Sequence, residues 1–127
     1  MRLLLFVCKD HPYLAATPDG VIDDDHIVEV KCPYVGRNST IKPGPMFPFL
    51  LKINQDIQLK KTHSYYYQIQ GQLYITKRRF CYLVVYTFKD FCVIKVPIDF
   101  DFCEQCIVSR LELFYQKYYR PFVAKSL

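Results

Sequence analysis

The stretch HIVEVKCPY, His26 to Tyr34, limits what this chain can build more than any other segment. Its β-branched residues suit a strand. Pro33 ends that strand, because proline cannot donate to a ladder and biases Cys32 away from helical geometry. Alternate side chains of a strand share a face, so Glu29 and Lys31 point to the same side, with Ile27 before them. Val28, Val30 and Cys32 take the other side. A carboxylate and an ammonium on one face of an apolar strand need a polar destination, since apolar surroundings cost several kcal/mol. A plain ion pair on a half-exposed sheet meets that need, and so does a functional site.

The turn upstream favours a site. Thr17-Pro18-Asp19-Gly20 has turn chemistry, and Glu29 follows Asp19 by 10 residues. That is enough chain for a bend and a return strand, so Asp19 can be brought beside Glu29. Two adjacent carboxylates repel unless a divalent cation lies between them, and such oxygen ligands suit magnesium or manganese. A nearby lysine can hold or activate a metal-polarised water. This combination is suited to phosphodiester hydrolysis. The triplet Asp23-Asp24-Asp25 reads instead as decoration of an exposed turn, and His26 and His63 do not read as metal ligands.

The rest of the chain supplies a frame of alternating strands and helices. With 127 residues and 51% hydrophobic content, one domain with a packed core is expected and wholesale disorder is excluded. Leu3 to Cys8 reads as a first strand. It is far short of the roughly 20 residues of a membrane span and lacks the cleavage site of a secretory leader. After Pro33 comes a Gly/Pro-rich loop, then a hairpin over "FLLKI" and "DIQLKK" that turns at Asn54-Gln55. "THSYYYQIQGQLYIT" is a helix capped by Thr62 or Ser64, with Ile69 and Leu73 on its apolar face. Gly71 in its middle implies a close approach of another element. Two β-rich strands follow, then a helix opening at Asp101 with Glu104 in a capping-box pattern. Ile107, Leu111, Phe114 and Tyr118 form its core-facing stripe. The fold class is α/β or α+β, a sheet with helices packed on it.

The 6 cysteines lie mostly inside apolar strand-like runs, which fits free thiols of a reduced, intracellular compartment. Cys103 and Cys106 have zinc-ligand spacing, but no second such pair accompanies them. The net charge of +5 is compatible with an anionic partner such as nucleic acid. Lys60, Lys61 and His63 precede the central helix, and Lys77, Arg78 and Arg79 follow it. Such groups near a phosphate track set affinity and its salt dependence.

Taken together, TPDG at Thr17 to Gly20, VEVKCP at Val28 to Pro33, and Gln70 and Tyr74 in a Q-x-x-x-Y pattern resemble the PD-(D/E)xK nucleases. The similarity is greatest to their phage lambda exonuclease branch, the YqaJ-type viral recombinases or alkaline exonucleases. It runs from about Phe6 to Phe122 and makes the whole chain a single, partial domain of this kind. The resemblance implies a restriction-endonuclease-like core, with a mixed central sheet flanked by helices. It implies a metal-dependent exonuclease acting on linear duplex DNA, 5′-to-3′, in recombination, repair or viral DNA processing, with magnesium or manganese as cofactor. Asp19 and Glu29 would bind the metal, with the backbone carbonyl of Val30. Lys31 would position or activate water, and Gln70 would orient the site or touch the DNA backbone. Tyr66 and Tyr74, one turn either side of Gln70, form a stripe with it. Tyr74 is carried as a DNA-contacting candidate, with helix packing as its other reading. The branch commonly forms ring-shaped homo-oligomers, trimers among them.

The family has a helical segment before the first strand, which supplies a further acidic residue and groups that hold the 5′ end. The chain starts at the strand, so a shortened nuclease or a catalytically impaired DNA-binding remnant is the alternative expectation. A protein-interaction module displaying some of the 11 tyrosines and 10 phenylalanines ranks behind both. A eukaryotic source would allow a nuclear location.

Overall fold

The computed structural model describes residues 6–7, 15–114 and 117. In chain order the elements are β1 (Phe6–Val7), β2 (Ala15–Ala16), β3 (Gly20–Val21), β4 (His26–Lys31), β5 (Leu50–Ile53), β6 (Asp56–Leu59), α1 (Ser64–Thr76), β7 (Phe80–Tyr86), β8 (Phe91–Pro97), α2 (Phe100–Phe102), a π-helical segment (Cys103–Val108) and α3 (Ser109–Phe114). Four strands form a mixed sheet in the order β3-β4-β7-β8. β4 and β7 run parallel, joined by a crossover that includes α1, and the outer pairs are antiparallel. This is the expected mixed sheet with helices.

Period-two burial divides the sheet into two faces. Ile27, Cys81, Leu83, Val85, Ile94 and Val96 are buried on one side against Ile69 and Leu73 of α1. The hairpin β5–β6 and its preceding loop close this core with Phe47, Phe49, Leu50 and Leu59. Fully burying an aliphatic side chain of this kind is worth about 1.5–3 kcal/mol, so this face carries the fold. A second cluster joins Ala16, Tyr74 and Ile75 to Cys103, Ile107 and Val108.

Several local expectations hold. The β5–β6 hairpin turns at Asn54-Gln55, and Asn54 takes the left-handed conformation (φ 57°) that asparagine tolerates better than most residues. The five described cysteines are free thiols; Cys81 and Cys103 are buried and Cys32 is exposed.

Others need correction. The first strand is described only at Phe6–Val7, which pairs with β2 in a separate small sheet; the rest of the Leu3 to Cys8 run lies outside the described residues. The cap of α1 is His63, not Thr62 or Ser64: its Nδ1 accepts the Tyr65 N–H at 3.1 Å. The last helical region starts at Phe100 and is capped two residues earlier than expected. Asp99 caps it by accepting the Phe102 N–H at 3.1 Å, so the pairing of Asp101 with Glu104 does not define its start. Ile107 is buried as foreseen, whereas the side chains of Leu111, Phe114 and Tyr118 lie outside the described ones. Nothing crowds Gly71, because a Cβ built there would meet only Ile107 Cγ2 at 4.0 Å.

Candidate active site

The antiparallel register pairs Gly20 with Val28 and Val21 with Ile27, which sets Asp19 abreast of Glu29. Pro18, fully buried, pins the bend. The Asp19 N–H donates to Glu29 Oε1 at 3.3 Å, and the Val30 N–H donates to Asp19 Oδ2 at 2.8 Å. The Glu29 carboxylate is thereby tied to the backbone of Asp19, and the Asp19 carboxylate to the backbone of Val30, the residue after Glu29. Glu29 is 2% exposed. Burial, and then repulsion from Asp19, push its carboxyl up to about 7. Burial, and then the neighbouring charge of Glu29, push the Cys81 thiol up to about 12.

Lys31 turns to the same side of β4, where the N-terminal half of α1 receives it. Its Nζ donates to Gln68 Oε1 at 2.7 Å and lies 4.5 Å from the centre of the Tyr65 ring. One turn on, Gln72 Nε2 reaches the Thr17 carbonyl at 3.5 Å, linking α1 to the bend that carries Asp19. Tyr65, Gln68 and Gln72 thus form the face of α1 turned toward β4 and the bend. Gln68 also lines an open, mainly apolar groove of about 460 Å³ with Tyr67, Gly71, Ile75 and Arg110.

Gln70 is not brought to this cluster. It is completely buried; its Nε2 donates to the Pro97 carbonyl at 2.9 Å and its Oε1 accepts the Asp99 N–H at 2.8 Å. With Tyr66 and Tyr74 it makes the expected stripe, but that stripe faces the core. Tyr66 packs edge-on against Phe102. Tyr74 is buried in the second cluster, and its hydroxyl donates to Glu104 Oε1 at 3.0 Å, so helix packing is the reading that holds for it. The glutamine at the site is Gln68, two residues earlier. Only Gln70 has the Q-x-x-x-Y spacing to Tyr74, since Gln72 stands four residues after Gln68; the rotation of α1 nevertheless turns Gln68 to Lys31. The signal available in the sequence was Ile69 and Leu73, which mark the apolar face and leave Gln68 off it.

The basic groups divide between the two ends of α1. Lys60, Lys61 and His63 lie at the end nearer Lys31, where the His63 ring is engaged with Phe49 and Tyr65. Lys77, Arg78 and Arg79 lie at the other end, Lys77 being roughly 14 Å along the axis from Gln68. Lys77 caps that end in a left-handed conformation. Arg78 donates to the Asp23 and Thr76 carbonyls, and Arg79 makes a two-pronged pair with Asp25 at 2.7 and 3.0 Å. Arg78 and Arg79 therefore brace the aspartate turn at the start of β4. In that turn, Asp23 Oδ1 accepts the N–H groups of Asp25 and His26.

The donor set suits a hard divalent cation. Two carboxylates held side by side, one of them buried and pushed toward neutrality, are relieved by such a charge. No group of three or more His, Cys, Asp and Glu residues is assembled among the described residues, so Asp19 and Glu29 are the side-chain candidates there.

The chain belongs to the YqaJ-like viral recombinase domain family, whose model matches residues 3–79. No protein of curated function matches it. Its fold is that of the alkaline exonuclease LHK-Exo of Laribacter hongkongensis, with a TM-score of 0.55 and 19% identity over 99% of this chain and 64% of that one. The structure of LHK-Exo in complex with dAMP gives a TM-score of 0.55 and 20% identity over 97% of this chain. The chain spans less than two thirds of the length of either structure, 61% and 64%. No described helix is long and apolar enough to cross a membrane.

Proposed function

We propose that this chain carries the catalytic core of a metal-dependent DNA exonuclease, which hydrolyses phosphodiester bonds of linear duplex DNA in the 5′-to-3′ sense during recombination or repair. The observation that carries the reading is the convergence of Asp19, Glu29 and Lys31, from a bend and one strand, with Gln68 of α1 closing the side. Membership of the family and the fold shared with LHK-Exo support it.

Asp19, Glu29 and the Val30 carbonyl would hold magnesium or manganese, which supplies charge neutralisation at the phosphate and a more acidic bound water. The Lys31 ammonium, steered by Gln68 and the Tyr65 ring, stands where it can orient the attacking water and stabilise the charge that builds on the phosphate. The hydrogen bond from the Val30 N–H fixes the Asp19 carboxylate, so the acid does not have to be reoriented during the reaction.

The test is digestion of end-labelled linear duplex DNA with magnesium or manganese. The protein should shorten the DNA from its ends, chelator should stop it, and Lys31→Ala should lower the rate about 100-fold or more. Salt-dependent DNA binding without digestion would leave a non-cleaving DNA-binding domain. Equal digestion by Lys31→Ala would remove the proposal.

A further inference from the structure

His63 links the start of α1 to the candidate site, and the link depends on a proton. Its Nδ1 accepts the Tyr65 N–H at 3.1 Å. A backbone N–H can only donate, so Nδ1 is bare and the ring proton sits on Nε2. A doubly protonated imidazole has two donors and no acceptor, and would set an N–H against the Tyr65 N–H. It would also place a cation at the positive end of the helix dipole. The first turn of α1 holds no acid to offset this, and among the described residues no carboxylate forms an ion pair with His63. Each element around the ring leaves a second positive charge unwelcome. The segment leading into α1 brings Lys60, whose carbonyl accepts the His63 N–H at 3.2 Å, and then Lys61. The loop before β5 brings the uncharged Phe49. α1 brings the Tyr65 ring, edge-on at 4.5 Å, and β4 brings Lys31, 4.5 Å from the centre of that ring. Tyr65 is thus held between His63, Phe49 at 4.8 Å and the Lys31 ammonium. Gln68, on the same stretch of helix, takes the hydrogen bond of that ammonium.

We infer that His63 is a positioning residue of the site: it holds Tyr65, and through Tyr65 the Lys31 ammonium, only while its ring is neutral. The inference rests on the exonuclease reading, which gives Lys31 its task. A cap alone does not call for histidine. Hydroxyls stand on both sides, at Thr62 and Ser64, and side chains of that type cap helices well. Imidazole adds a flat ring against Tyr65 and an acceptor that a proton removes. Imidazole is also the side chain that ordinarily changes charge between about pH 5 and 8. Uptake of that proton uncaps the first turn, loosens Tyr65 and lets the ammonium leave the place where it meets water and phosphate. Acid thereby acts on the site through the helix end, apart from any proton on the carboxylates.

The experiment has two readouts on the full chain. The first is nuclear magnetic resonance of nitrogen-15-labelled protein in chelator, in which the Tyr65 amide is followed while the His63 ring takes up its proton. In the wild type that amide should lose protection against hydrogen exchange by about fivefold, whereas in His63→Asn, whose cap does not titrate, it should not. The second is digestion of end-labelled linear duplex DNA in saturating magnesium, with circular dichroism showing that each protein is folded. A proton on Glu29 slows every variant alike, so rates are compared as ratios to wild type. His63→Ala should be slower than wild type near neutrality, and His63→Asn should recover most of that loss. The ratio of His63→Asn to wild type should then rise about fivefold from about pH 7.5 to about pH 5.5. A Tyr65 amide that stays protected once the ring is charged would overturn the inference, and so would a ratio that is flat with pH. An amide that responds in a protein digesting no DNA would leave the proton-dependent cap standing and remove the nuclease reading. Digestion that needs Lys31 but ignores His63 would do the reverse.

Discussion

Gln68 and Gln70 lie on one turn of α1, about 200° apart around its axis, and they do different work. Gln68 is exposed and accepts one hydrogen bond from a charged side chain, Lys31, at the candidate site. Gln70 is completely buried and bridges a carbonyl and an N–H across the junction of β8 and α2. The first amide can be lost with little effect on the fold. The second cannot, since its two backbone partners would be left unpaired in the core. Each face of α1 therefore has its own chemistry: tyrosines and an amide against the core at 66, 70 and 74, and a tyrosine and two amides toward the site at 65, 68 and 72.

The largest effect expected from breaking this division is Gln70→Leu. It keeps much of the volume but strands the Pro97 carbonyl and the Asp99 N–H, costing about 2–4 kcal/mol in urea unfolding, with activity per folded molecule retained. Gln68→Ala should do the opposite: stability within about 0.5 kcal/mol of wild type and a rate of DNA digestion about 10–100-fold lower. If both variants lose stability alone, the two faces are not functionally distinct.

Glu29 sharpens the contrast between site and core through pH. Its folded carboxyl, pushed up to about 7, exceeds the ordinary 4.5. Between these values the folded chain keeps a proton that the unfolded chain has released. The contribution of this group to stability therefore falls as pH rises from about 4.5 to about 7, and levels off above. In metal-free protein at pH 8, Glu29→Gln should then be more stable than wild type by about 1–2 kcal/mol, while digesting no DNA. The smallest effect belongs to Gly71→Ala. The open space above Gly71 lets the methyl fit, so stability should rise by about 0.5–1 kcal/mol in thermal unfolding.

Much of the site was legible in the sequence because it is local. The proline-aspartate-glycine bend and the strand with Glu29 and Lys31 lie within a short span, and strand alternation alone puts both charges on one side. The register of β3 on β4 then brings Asp19 abreast of Glu29. Choosing between glutamines was harder, since it depends on the rotation of a helix set by contacts distant in sequence. Tyr74 and Arg79 illustrate the same difficulty from the other side. As residue types both suit DNA, yet Tyr74 is committed to Glu104 and Arg79 to Asp25, 30 and 54 residues away in the chain.

By itself the sequence determined the strand and helix order, the hairpin at Asn54-Gln55 and the pairing of an acidic bend with an acid-and-amine strand, because these follow from neighbour-to-neighbour geometry. Only the tertiary structure decided that Gln68 rather than Gln70 meets Lys31, and that His63 and Asp99 cap the helices. Those outcomes turn on which groups burial leaves without water, and that is settled only when distant segments pack together.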